Sequence, residues 1–317
     1  MEVLWWILGI LLGIAFICLL SSYVCFMMVF YSKKRRPCGP DEYDIPSGDI
    51  YEMFRDEMIG WIRSVRSMPH EDVSITSFDG LTLRGRYYEQ KKDAPIEIMF
   101  HGYRGNSERD MCGAVERAFA VGRNALIVDQ RASGNSDGHI ISFGINERRD
   151  CIDWINFAIK KFGNDVRIMI TGISMGAATV MMASGEVLPD NVIGVLADCG
   201  YTSAKEIIKK VITKMRLPAA VLYPFVKLGA RIFGRFDLEQ TCPIDAVKRC
   251  KIPIIFVHGD NDTFVPYDMS VRLHESCVSD KKVLITVKGA GHGLAYPVDK
   301  EGYINKLLEL NDEWSLA

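Results

Sequence analysis

Charge is absent from residues 3–30, and no part of the chain shows an internal repeat or a low-complexity tract. A basic surplus is also missing. Lys and Arg number 38 against 40 Asp and Glu, for a net charge of -2, so nothing supplies the cationic face that a nucleic acid requires. The nine cysteines form no C-x-x-C pair and no Cys/His cluster at metal-ligand spacing. This argues against both a disulfide framework and a structural metal site, and free buried thiols suit a reducing compartment or an anaerobic source.

The uncharged run is itself a strong signal. About 20 apolar residues cross a bilayer core, and this run is longer. A cleaved signal peptide fits poorly, because the chain starts with Glu2 instead of a basic stretch and no small-x-small cleavage site follows. The expectation is an uncleaved single-pass anchor over residues 1–36, with Trp5, Trp6 and Tyr31 at the two interfaces. Lys33, Lys34, Arg35 and Arg36 follow directly. By the positive-inside rule they place the large domain on the cytoplasmic side, the alternative being an extracytoplasmic domain.

Residues 37–72 read as a Pro- and Gly-containing linker followed by an amphipathic helix. Ile50, Phe54, Met58, Trp61, Ile62 and Val65 recur at helical spacing. The opposite face mixes acids with arginines, which favours packing on the domain over lying on the membrane.

From residue 73 to 317 the pattern is that of a single α/β domain. Two alternating runs flank Asp79-Gly80, a hairpin signal. Short apolar strands follow at 96–100, 125–129, 166–171, 192–197, 254–258 and 283–287, separated by helical stretches near 108–121, 147–162, 175–185, 267–277 and 300–310. Such alternation implies a mostly parallel sheet with helices on both faces. One connection, about 200–248, is much longer than the rest and rich in aliphatic and aromatic residues. Its length predicts a helical lid insertion that supplies an apolar wall above the site.

Within this layout, Gly172-Ile173-Ser174-Met175-Gly176 ends an apolar strand and opens a helix. The pattern is that of a nucleophile elbow, in which a tight strand-to-helix turn lifts the serine hydroxyl clear of the sheet. The motif alone is weak, and a serine hydroxyl needs a base held by a carboxylate. Both follow in chain order. Asp262 lies just beyond the strand ending at His258, and His292 sits in a glycine-rich loop beyond the last strand. Asp198 and Asp260 are the alternative acids, at a strand end and within the tight turn. His101 and His258 border glycines at strand ends and read as structural, while His70, His139 and His274 lack supporting context. An oxyanion needs backbone donors aimed in advance. Met175 N–H is one, at the start of a helix, and Tyr103 N–H, in the loop His101-Gly102-Tyr103-Arg104-Gly105-Asn106, is the second candidate.

These blocks, together with Asp129-Gln130-Arg131-Ala132-Ser133-Gly134-Asn135-Ser136-Asp137-Gly138, resemble the serine α/β-hydrolases, and more closely their membrane-anchored bacterial members. The resemblance implies the α/β-hydrolase fold and hydrolysis of esters or related acyl groups through an acyl-enzyme, without metal or organic cofactor. The implied substrate is a small-molecule or lipid ester. A peptidase or amidase of the same fold is the alternative, and a non-catalytic binding protein on this fold is a third reading.

Overall fold

The computed structural model describes residues 1–33 and 38–316. Of the basic cluster, Lys34, Arg35 and Arg36 therefore lie outside the described residues. Eight strands form one sheet: β1 (Glu71–Thr76), β2 (Thr82–Tyr88), β3 (Ile96–Phe100), β4 (Asn124–Val128), β5 (Ile168–Ile173), β6 (Val192–Asp198), β7 (Ile254–Gly259) and β8 (Lys282–Val287). Their order across the sheet is β1-β2-β4-β3-β5-β6-β7-β8. β2 pairs antiparallel with β1 and β4, and every pairing from β4 to β8 is parallel.

Parallel central strands are covered on both sides, which is why β3, β4 and β7 are buried along their whole length. Alternate residues feed two cores. On one face Ile98, Ile170, Val195 and Phe256 meet α5 (Glu147–Phe162), α6 (Met175–Ser184) and α10 (Tyr267–Ser276), with Trp154 fully buried among them. On the other, Met99, Met169, Leu196 and Val257 meet α3 (Arg55–Ser67), α4 (Ser107–Ala120) and α12 (Lys300–Trp314). Each large side chain so buried contributes about 1.5–3 kcal/mol. The exception is Glu97, fully buried in β3. Arg117 and Arg123 bond its carboxylate and Thr171 Oγ1 donates to it at 2.7 Å, supplying the pairing that a buried charge requires.

The helical spacing over 49–66 is realised as two helices, α2 (Asp49–Glu52) and α3, broken at Phe54. Met58, Trp61, Ile62 and Val65 are buried, and Trp61 lies against Gly113 of α4 so closely that a Cβ there would meet its ring at 2.8 Å.

The insertion between β6 and β7 carries α7 (Ala204–Lys214), α8 (Ala219–Ile232) and α9 (Pro243–Val247). Pro224 sits inside α8 without ending it. Ile207, Ile208, Tyr223 and Val226 pack around Met175, Phe143, Phe26 and Phe30.

The last two of these belong to the end of α1 (Glu2–Val29), about 42 Å long, and to its cap. Its first twenty residues are almost entirely exposed, whereas Ser22, Phe26 and Phe30 are buried. About 30 Å of apolar helix is thus left free of the domain, the thickness of a bilayer core. Among the described residues, α1 is the helix long and apolar enough to cross a membrane.

Candidate active site

Ser174 occupies the turn between β5 and α6 with φ 56° and ψ -113°, a left-handed value that a serine tolerates only where the surroundings enforce it. The glycines explain how. A Cβ on Gly176 would lie 1.9 Å from Phe100 O, and one on Gly172 would lie 2.1 Å from the backbone of Gly176. No side chain fits at either position, so the helix leaves the strand at full contact.

His292 Nε2 stands 3.0 Å from Ser174 Oγ, and His292 Nδ1 stands 2.7 Å from Asp262 Oδ2. Asp262 follows β7 and is itself fixed: its Oδ1 accepts from Phe264 N at 2.8 Å and Val265 N at 2.9 Å. Burial pushes its carboxyl upward, but hydrogen bonds from His258 and His292 prevail and hold it well below the ordinary value. It is therefore an anion throughout the neutral range.

The alternative acids are engaged elsewhere. Asp260 Oδ1 accepts from Gly289 N at 2.6 Å, and Asp198 Oδ2 accepts from Tyr303 Oη at 3.2 Å.

His258, read from sequence as a strand-end residue, contacts the acid directly. Its Nε2 lies 3.1 Å from Asp262 Oδ2 and 3.0 Å from Val265 O, and its Nδ1 lies 2.5 Å from Ser270 Oγ. A carbonyl can only accept, so Nε2 carries a proton. The only sequence trace of this support is the four-residue separation from Asp262.

The loop after β3 is tied down in the same way. Gln130 N donates to His101 Nε2 at 3.0 Å, Gln130 Nε2 donates to His101 O at 2.6 Å, and Gly102 N donates to Asp110 Oδ2 at 2.9 Å. Burial lowers the His101 pKa, in keeping with its neutral role. Tyr103 anchors the loop through its hydroxyl, which donates to Val29 O at 2.6 Å. Met175 opens α6, where the first N–H groups have no partner within the helix.

A cavity of about 220 Å³ opens beside Ser174 and His292. Gly102, Tyr103 and Phe264 border it at the site, and Met58, Trp61, Tyr296 and Pro297 wall it further in. The apolar wall expected from the 200–248 insertion thus comes from α3, α4, α12 and α11 (Ala295–Val298), on the opposite face of the sheet. The insertion turns its apolar side to α1 and to Met175, behind the elbow. Sequence reading also missed Pro46 and Tyr51, which line the cavity from the segment before the sheet. Cys199 lies beneath the site, its thiol within 4.8 Å of ligand atoms on Asp262 and His292, and burial raises its pKa well above the ordinary thiol value.

No family model matches the chain. Among curated proteins it is similar to the uncharacterised protein YqkD of Bacillus subtilis, 25% identical over 288 residues that span 90% of each chain. It is also similar to the protein bem46 of Schizosaccharomyces pombe, 23% identical over 223 residues and 68% of each chain. Among solved structures, the esterase Pf2001 of Pyrococcus furiosus superposes with a TM-score of 0.66 at 21% identity, covering 90% of this chain and 99% of that one. The sheet order, the serine turn and this superposition show that the chain has the α/β-hydrolase fold.

Proposed function

We propose that the protein is a serine hydrolase that cleaves carboxylic esters, thioesters or lipid-derived acyl groups through an acyl-enzyme. The observation that carries this is the unbroken chain Ser174 Oγ, His292, Asp262 at 3.0 and 2.7 Å. Asp262 is an anion and accepts from Nδ1–H, which leaves Nε2 free to take a proton. Ser174 Oγ then bonds to the ester carbonyl carbon while its proton passes to His292 Nε2. The developing oxyanion is held by the N–H groups of Met175 and Tyr103, donors worth several kcal/mol each in a water-poor site. Collapse expels the alcohol, which takes the proton from His292. Water repeats the sequence on the acyl-Ser174 ester and releases the acid.

Hydrolysis of p-nitrophenyl esters graded from acetate to laurate, by wild type and Ser174→Ala, tests this assignment. Turnover lost in the variant supports it, and equal turnover by both proteins rejects it.

The domain is held at a bilayer by α1 as an uncleaved anchor, on the cytoplasmic side. Phe26 and Phe30 pack into the domain at 5% and 0% exposure, so cleavage of a leader ahead of the domain would strip part of a core. A reporter fused after Ala317 that is active only outside the cell would overturn the sidedness.

A further inference from the structure

The cavity beside Ser174 is not uniformly apolar. Asp198, Arg117, Thr171 and Tyr303 share its lining with Met58 and Trp61. Two of the polar groups are buried and incompletely bonded. Asp198 is 8% exposed: its Oδ2 accepts from Tyr303 Oη, while its Oδ1 has no partner. Arg117 is 3% exposed and bonds Glu97 through a terminal nitrogen, while its Nε has no partner. An unmatched acceptor and an unmatched donor on two residues that line one cavity are rare in a folded interior, where nearly all buried polar atoms are paired.

Their position relative to the nucleophile is fixed by the sheet. Ser174 N donates to Asp198 O at 2.8 Å, and Ile173 is the register partner of Asp198 across β5 and β6. The backbone of Asp198 therefore sits about one strand spacing, roughly 4.8 Å, from the elbow.

We propose that Asp198 and Arg117 form a polar subsite that selects acyl groups bearing a hydroxyl close to the scissile carbonyl. This rests on the esterase reading above. A hydroxyl is the smallest neutral group that donates to a carboxylate and accepts from a guanidinium N–H at once. A carboxylate on the substrate would be repelled by Asp198 and an ammonium by Arg117, so the pair of opposite charges favours a neutral arm. The arm is the acyl one, because the acyl group stays bonded to Ser174 Oγ, which opens on this cavity.

The test compares ethyl 3-hydroxybutyrate, as both enantiomers, with ethyl butyrate on the full chain in detergent. Each kcat/KM is divided by the rate of alkaline hydrolysis of the same ester. Wild type is expected to favour one hydroxy enantiomer by about tenfold or more, because a site built around a hydroxyl penalises its absence. In Asp198→Ala that ratio falls to near one. A corrected ratio near one in wild type overturns the subsite and leaves its polar groups to water, and a ratio unchanged in Asp198→Ala overturns it as well. The wild-type comparison decides whether or not the variant folds. Reaction of Ser174 with a fluorophosphonate, without any hydroxy-ester preference, sinks the subsite alone. Failure of that reaction together with failure to turn over either ester sinks the underlying esterase assignment.

Discussion

The Tyr51 hydroxyl donates to the backbone carbonyl of His292 at 3.0 Å, joining residues 241 positions apart. A four-residue helix ahead of the sheet thus steadies the loop that carries the proposed base. Tyr51→Phe removes this one bond, worth about 1 kcal/mol. The expected result is a kcat lowered about fivefold with KM little changed, measured on a short soluble ester. An unaltered kcat would show that the loop holds His292 without help.

The same segment carries part of the cavity wall, through Pro46, Tyr51, Met58 and Trp61. A chain beginning at residue 73 is therefore expected to be inactive and poorly folded, since it exposes the Trp61 contact on α4. Thermal unfolding and ester turnover of that truncation check this against the full chain.

Phe30 is fully buried against Phe143 and Phe236, with ring centroids 5.9 and 5.2 Å away. Phe30→Ala is expected to cost about 3–5 kcal/mol of domain stability. Phe16, 67% exposed on the free part of α1, is the control whose replacement leaves domain unfolding unchanged. Denaturant titration in detergent distinguishes the two.

Much of this architecture is legible in sequence because the central strands are buried on both faces and read as unbroken apolar runs. The turn at Ser174 is legible for a steric reason, since Gly172 and Gly176 stand where no Cβ fits. Asp262 is the acid that its place just past the strand ending at His258 favours in sequence, and its hydrogen bond to His292 separates it from Asp198 and Asp260, which are bonded elsewhere. The cavity wall was not legible. Pro46 lies in the linker ahead of the periodic stretch and Tyr51 lies within that stretch, but helical spacing says nothing of what they face, and the cavity they line is completed by residues far along the chain. The insertion misled for the opposite reason: its apolar stripe is real, but it covers the end of α1 and the back of the elbow instead of the substrate side.

Asp198 makes stability depend on pH in an unusual direction. Burial raises its pKa from an ordinary 3.8 to about 6. Below the lower value both folded and unfolded chains hold the proton. Between the two, the unfolded chain releases a proton that the folded chain retains, so stability falls as pH rises through that window. Asp198→Asn is therefore expected to exceed wild type by about 2–3 kcal/mol above the window and to match it below. Urea unfolding at about pH 3 and about pH 8 measures both limits.

Labelling of the intact protein with a fluorophosphonate tests the proposed chemistry most directly, because it reads the activated serine without assuming a substrate. A single adduct is expected on the peptide containing Ser174, absent in Ser174→Ala and formed at least about a hundredfold more slowly in His292→Ala. Folded wild type that takes no label, or a label that survives in Ser174→Ala, would contradict the assignment of Ser174 as the nucleophile.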